Sequence, residues 1–162
     1  MKRGKTYIIT SAQACSKVNN DFLISLQTYC KYKNAELLIL PMQGKHITEE
    51  TLHPTLDDYQ IIDSDYKLND KIWIKDYKVK PQAIRPLTGL EALVKGDKST
   101  IIAGTKINLR AVPNSNTRMA KILMTTGAIT EPNYNLNHRV GRIAKADHEY
   151  GAIIVEIVNN KT

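Results

Sequence analysis

The sequence predicts an α/β fold, a single domain that opens with a βαβ unit and continues into a mixed sheet. Three observations carry that reading. Thr6-Tyr7-Ile8-Ile9-Thr10 and Ala35-Glu36-Leu37-Leu38-Ile39-Leu40 are two strand-like runs. Between them, Phe22, Leu23, Leu26, Tyr29 and Cys30 recur at helical spacing. The 162 residues, 42% hydrophobic and 24% charged, have the length and balance of one ordinary domain with its own core.

Taken in order, the first strand gives way to a polar turn over residues 11–18, and Asn19 or Asn20 caps the helix that follows. Lys31 and Lys33 suit its C-terminal dipole, and Asn34 suits a left-handed stop. Pro41 is expected to close the second strand, which pairs parallel with the first. Residues 43–70 read as an irregular acidic insert, with a short helix near Glu49-Glu50. Strands are expected at 71–74, 99–103, 106–112 and 150–158, and one or two helical turns over 89–94. Lys121-Ile122-Leu123-Met124 fits helix or strand.

The net charge of +7 is unevenly distributed: residues 1–45 carry +5, residues 46–70 carry −6, residues 71–80 carry +3 and residues 81–162 carry +5. Basic sequence flanking an acidic insert attracts phosphates at long range, or simply keeps a surface solvated. Cys15 and Cys30 are too few for a disulfide framework and read as reduced thiols in or near the core. No apolar run reaches membrane-spanning or signal-peptide length, so a cytoplasmic protein without membrane contact is expected.

A catalytic centre is not legible. Gly96-Asp97-Lys98-Ser99-Thr100 departs from a phosphate loop at Asp97 and precedes a strand. His46 and His53 stand apart, and the alternation of an extended Asp147-His148-Glu149 points His148 away from its neighbours. No metal site and no cofactor are expected in this chain. Two binding regions stand out. The turn after the first strand offers Ser11, Gln13 and Asn19 near a helix N-terminus, where ligands collect or where side chains merely cap. Further on, Arg110, Asn114, Asn116, Arg118, Lys121, Tyr134, Arg139, Arg142 and Lys145 interleave cations, amides and an aromatic ring. Cations hold phosphates, amides touch sugars and bases, and Tyr134 could stack on an exposed base.

Several runs together carry a family resemblance: Ile9-Thr10-Ser11-Ala12-Gln13, Ala35 to Pro41, Lys121-Ile122-Leu123-Met124-Thr125-Thr126-Gly127-Ala128, Pro132-Asn133-Tyr134, and His148 with Gly151 to Glu156. Across nearly its whole length the chain resembles the N-terminal region of a tailed-phage metallophosphoesterase family, the pre-early host-DNA-degrading deoxyribonucleases of large siphophages. The resemblance implies an N-terminal accessory domain of a longer early protein, at work in the cytoplasm of an infected bacterium. It implies manganese or another divalent metal for the parent protein. The Asp-x-His and Gly-Asn-His-Glu motifs of the family's catalytic part do not occur here. The expected function is therefore non-catalytic DNA binding beside a nuclease. The alternative is a structural module that forms a homo-oligomer or captures a host protein.

Overall fold

The computed structural model describes residues 4–46, 48, 50–114 and 120–158. It contains β1 (Lys5–Gln13), α1 (Asn20–Lys33), β2 (Glu36–Met42), β3 (Gln60–Ile61), β4 (Tyr66–Lys67), β5 (Ile72–Ile74), β6 (Ser99–Ile102), β7 (Leu109–Val112), β8 (Lys121–Thr125), α2 (Arg139–Ala146) and β9 (Ile153–Ile157). The fold is mixed α/β, as predicted. Its strands form two mixed sheets rather than one, ordered β3-β2-β1-β9 and β4-β5-β6-β8-β7.

The opening unit forms as its residue pattern requires. β1 and β2 run parallel, from Tyr7 opposite Glu36 to Gln13 opposite Met42. The Asn19 side chain accepts the Phe22 amide at 2.8 Å, and Asn34 ends α1 in the left-handed region at φ 52°. Two boundaries differ from the sequence reading. β1 continues through Gln13, because its polar end finds partners inside the protein. β2 continues through Pro41. The Ile39 carbonyl accepts from Ile62 on the β3 side and the Met42 carbonyl accepts from Ala14 on the β1 side, so Pro41 faces the β3 side. β3 pairs only with Leu38 and Ile39, so the missing N–H of Pro41 costs no ladder bond.

Four layers result. Ile8, Leu37 and Ile39 pack under Leu23 and Leu26 of α1. The opposite face of that sheet, with Tyr7, Ile9, Leu38 and Leu40, meets Ile74, Ile101 and Ala103 of the second sheet. The second sheet's outer face, with Ile102, Val112 and Leu123, is covered by Val79, Leu87 and Val94 of a long connection. The acidic insert is less irregular than expected: it holds a 3-10 turn at Pro54–Leu56 as well as β3 and β4. Glu49, one end of the helix expected there, lies outside the described residues. The turns expected over 89–94 reduce to a 3-10 helix at Glu91–Leu93. No described helix is long and apolar enough to cross a membrane.

Residues 126–130 stitch the two sheets together. Ser11 bridges to Ala128, Val18 to Thr130, Gly104 to Gly127, and Ala128 to Tyr150. Gly127 has φ 75°, and a Cβ there would lie 2.8 Å from the Cα of Gly151, so glycine is required twice over.

Candidate nucleic-acid interface

The turn after β1 divides into structural and cavity-lining parts. Ser11 is fully buried; its hydroxyl accepts the Gly104 amide at 3.1 Å and pairs with the Thr126 hydroxyl. Asn19 caps α1 and donates to Glu131 at 2.8 Å. Ser11 therefore has no open face for a ligand, and Asn19 takes the capping role, one of the two roles open to this turn. Gln13 differs. Its backbone amide donates to the Thr130 hydroxyl and its Nε2 donates to the Asn133 carbonyl at 3.1 Å. Its Oε1 is buried and has no partner among the described residues. Cys15 corrects another expectation, since it is exposed, at φ 53°. Cys30 is half-buried, and burial raises its thiol pKa.

Gln13 lines a cavity of about 440 Å³ with Lys45, Gln82, Asn133, Asn135 and His138. Tyr134, Val140 and Gly141 complete its wall. The segments are tied in place separately. The Thr105 hydroxyl donates to the Pro81 carbonyl at 3.0 Å, and the Lys106 ammonium donates to the Ile84 carbonyl at 3.2 Å, which anchors the connection that presents Gln82. The same ammonium pairs with Asp147 at 2.9 Å, just past the end of α2. At its other end, α2 approaches the chain closely: a Cβ on Gly141 would lie 1.9 Å from the Asn135 carbonyl oxygen. Only glycine allows that contact.

α2 has its N-cap at His138 without a side-chain capping bond. Its first intrahelical donor is Arg142, to the His138 carbonyl at 3.2 Å. The amides of Arg139, Val140 and Gly141 precede it, and Val140 and Gly141 line the cavity. Along the helix, Arg139, Arg142 and Lys145 are exposed at three-residue intervals, which places them on one side. The Arg142 guanidinium donates to the Leu136 carbonyl at 3.0 Å. The sequence reading named these three residues but not the helix that aligns them. Val140, Ile143 and Ala144 were its local signal, diluted by Gly141 and three cations.

The remaining candidate residues are elsewhere. Arg110 and Lys121 lie on the β7–β8 ribbon, with Arg110 paired to Glu91 at 2.7 Å. Lys121 opens β8 and Thr125 closes it, so Lys121 stands about 13 Å away along the strand from the end that leads to α2. Asn114 is exposed to an intermediate degree beside that ribbon, whereas Asn116 and Arg118 lie outside the described residues.

Tyr134 requires correction. It is only 8% exposed, and its ring meets His148 edge-on at 5.7 Å between centroids. The His148 Nε2–H donates to the Thr130 carbonyl, which leaves Nδ1 to accept the Tyr134 O–H, both at 2.8 Å. Burial pushes the Tyr134 pKa up to about 12 and lowers that of His148. Tyr134 is thus a wall with its polar tip engaged, unable to stack on a base at the surface.

Among the described residues, no three His, Cys, Asp or Glu side chains converge to hold a metal. Asp147 pairs with Lys106, His148 bonds Tyr134 and Thr130, and Glu149 accepts the Ile107 amide. The described donor set does not fit the divalent metal implied for the parent family.

No family model and no solved structure matches the chain significantly. The chain is similar to Protein A1 of Escherichia phage T5, at 28% identity over 167 aligned positions covering 96% of this chain. It spans 30% of that protein's length, so the likeness joins nearly all of this chain to less than a third of a phage protein.

Proposed function

We propose that this domain is a non-catalytic nucleic-acid-binding part of a phage early protein whose remaining length carries metal-dependent DNA degradation. The observation that carries the reading is the row of Arg139, Arg142 and Lys145 along α2, exposed and without carboxylate partners among the described ion pairs. Cations in such a row neutralise successive phosphates and release their counterions. The similarity to a phage protein over almost the whole chain supports the setting.

A structural or oligomer-forming role is the second reading. One observation favours it: an apolar groove of about 270 Å³, lined by Phe22, Tyr29, Ile107 and Ile154, adjoins the edge strand β9. Ile107 and Ile154 are about half exposed there, at 54% and 47%.

Fluorescence anisotropy with labelled duplex, from about 50 to about 200 mM salt, tests the first reading. Affinity is expected to fall steeply with salt and to depend little on sequence. Each of Arg139→Ala, Arg142→Ala and Lys145→Ala should lower the log–log slope by about one. Absence of binding at low salt, or an unchanged slope in all three variants, would overturn it. A change in sedimentation on Ile154→Lys would then favour self-association through β9.

A further inference from the structure

We propose that the cavity between the end of β1 and the start of α2 is a binding site for one nucleotide, taken up as a phosphate joined to a hydrogen-bonding base. This deepens the nucleic-acid reading and rests on it only where the nucleotide belongs to a strand; the site itself requires nothing from the cations along α2.

Size sets the first constraint. A volume of about 440 Å³ lies within the usual range for small-molecule sites and accommodates a mononucleotide. The wall chemistry narrows the ligand. Gln13, Gln82, Asn133 and Asn135 line the cavity with four carboxamides. The Gln13 and Asn133 NH2 groups donate to the Asn133 and Cys15 carbonyls and the Asn135 oxygen accepts the Asn137 amide, and the remaining donors and acceptors match the mixed edges of bases. Lys45 lines the same cavity, as do Val140 and Gly141 in the first turn of α2, a helix start left without a side-chain cap. A helix start with a lysine beside it favours a phosphate.

Gln13 supplies the independent evidence. It is fully buried, and its Nε2 is committed to the Asn133 carbonyl. Its Oε1 lacks a partner among the described residues, although leaving a buried acceptor unpaired costs about 1–3 kcal/mol. Because Gln13 lines the cavity, a ligand N–H such as an exocyclic base amine is the partner that acceptor lacks. The side chain of Val140 and the buried ring of Tyr134 provide an apolar wall for the base. The lining therefore offers groups for charge and an acceptor for a donor.

Calorimetric titration of the full chain tests the proposal with three probes: the common nucleoside monophosphates, inorganic phosphate, and a short single strand carrying a 5′-phosphate. At least one monophosphate or the strand end should bind, and more tightly than phosphate alone. Equal binding of free nucleotide and strand end identifies a free nucleotide as the ligand; a preference for the strand end identifies a terminus. Lys45→Ala and Gln82→Ala alter exposed positions and should each weaken binding about tenfold. Gln13→Met keeps the shape of the floor but removes the acceptor, and should weaken amino-bearing bases most; its folding is checked by thermal melting. Lys145→Ala, in the last turn of α2, should leave mononucleotide affinity unchanged while weakening duplex binding, so the two readings fail separately. Absence of binding by every nucleotide probe, a nucleotide no tighter than phosphate, or full affinity in both Lys45→Ala and Gln82→Ala would overturn the proposal.

Discussion

Two basic regions of this protein have opposite surroundings. Around β4 and β5, Lys67 pairs with Asp70 and Lys78 with Asp76, while Lys71 and Lys75 pair with Asp97 and Asp65. Lys75 and Lys98 also stand over the Trp73 ring, at 5.0 and 4.3 Å from its centroid. The neighbouring lysines hold the carboxyls of Asp65, Asp70 and Asp97 below their usual pKa range. On α2, by contrast, no described ion pair involves Arg139, Arg142 or Lys145. Three of the four lysines of residues 71–80 are thus answered by carboxylates, whereas none of the three cations on α2 is among the described ion pairs. Net charge along the sequence does not distinguish the two; pairing in space does.

The comparison breaks most severely at Gly141. Gly141→Ala forces a Cβ toward the Asn135 carbonyl, so α2 must shift or detach. A loss of about 3 kcal/mol is expected in a urea melt, with faster amide exchange along α2. A variant that melts like the parent would mean that α2 is not held by this contact.

The contrast sharpens with Lys71→Ala and Lys75→Ala as controls for the α2 series. Their positive charges are already answered by carboxylates, so each should change duplex affinity less than about twofold under conditions where α2 substitutions act clearly. Equal losses in both series would show that binding follows total charge.

A smaller effect should appear with pH. His148 has its pKa lowered by burial from the ordinary 6.5, against the upward pull of the Thr130 carbonyl, Glu131 and Glu149. The unfolded chain therefore takes up the proton first. The stability that the neutral ring contributes is complete above pH 6.5 and declines as pH falls from there through the lower folded-state pKa. Denaturant midpoints measured downward from neutrality should show this decline, and His148→Gln should flatten that part of the curve.

Local pattern made some of this legible. The αβ opening could be read because Ile8, Leu37 and Leu26 fall on faces set by strand and helix periods, and because Asn19 and Asn34 mark the ends of α1. Local pattern does not say which sheet a strand joins. The burial of Ser11 and Gln13 depends on Thr126, Thr130 and Asn133, more than a hundred residues later. The cavity draws on positions 13, 45, 82 and 133–141, so no contiguous motif announces it. Tyr134 was misread for a related reason: a tyrosine among asparagines resembles a surface platform until His148 closes over it. The basic residues on α2 are visible in composition, whereas their alignment depends on a helix docked through the close approach at Gly141, the buried Ala144 and the Lys106–Asp147 pair.

The pairing of β1 with β9 has a consequence for how the protein is made. Lys5 lies opposite Ile157 and Ile9 opposite Ile153. On a ribosome α1 and β2 emerge directly after β1 and can join it almost at once. Its other neighbour follows about 150 residues later, roughly 8–30 s at ordinary elongation rates. Throughout that interval one side of Tyr7-Ile8-Ile9 presents open hydrogen-bonding groups on an apolar strand, a template for pairing with other nascent chains. Completion of the first sheet is therefore timed by translation, and slow elongation or crowded polysomes would penalise this protein more than one whose neighbouring strands are also consecutive in sequence.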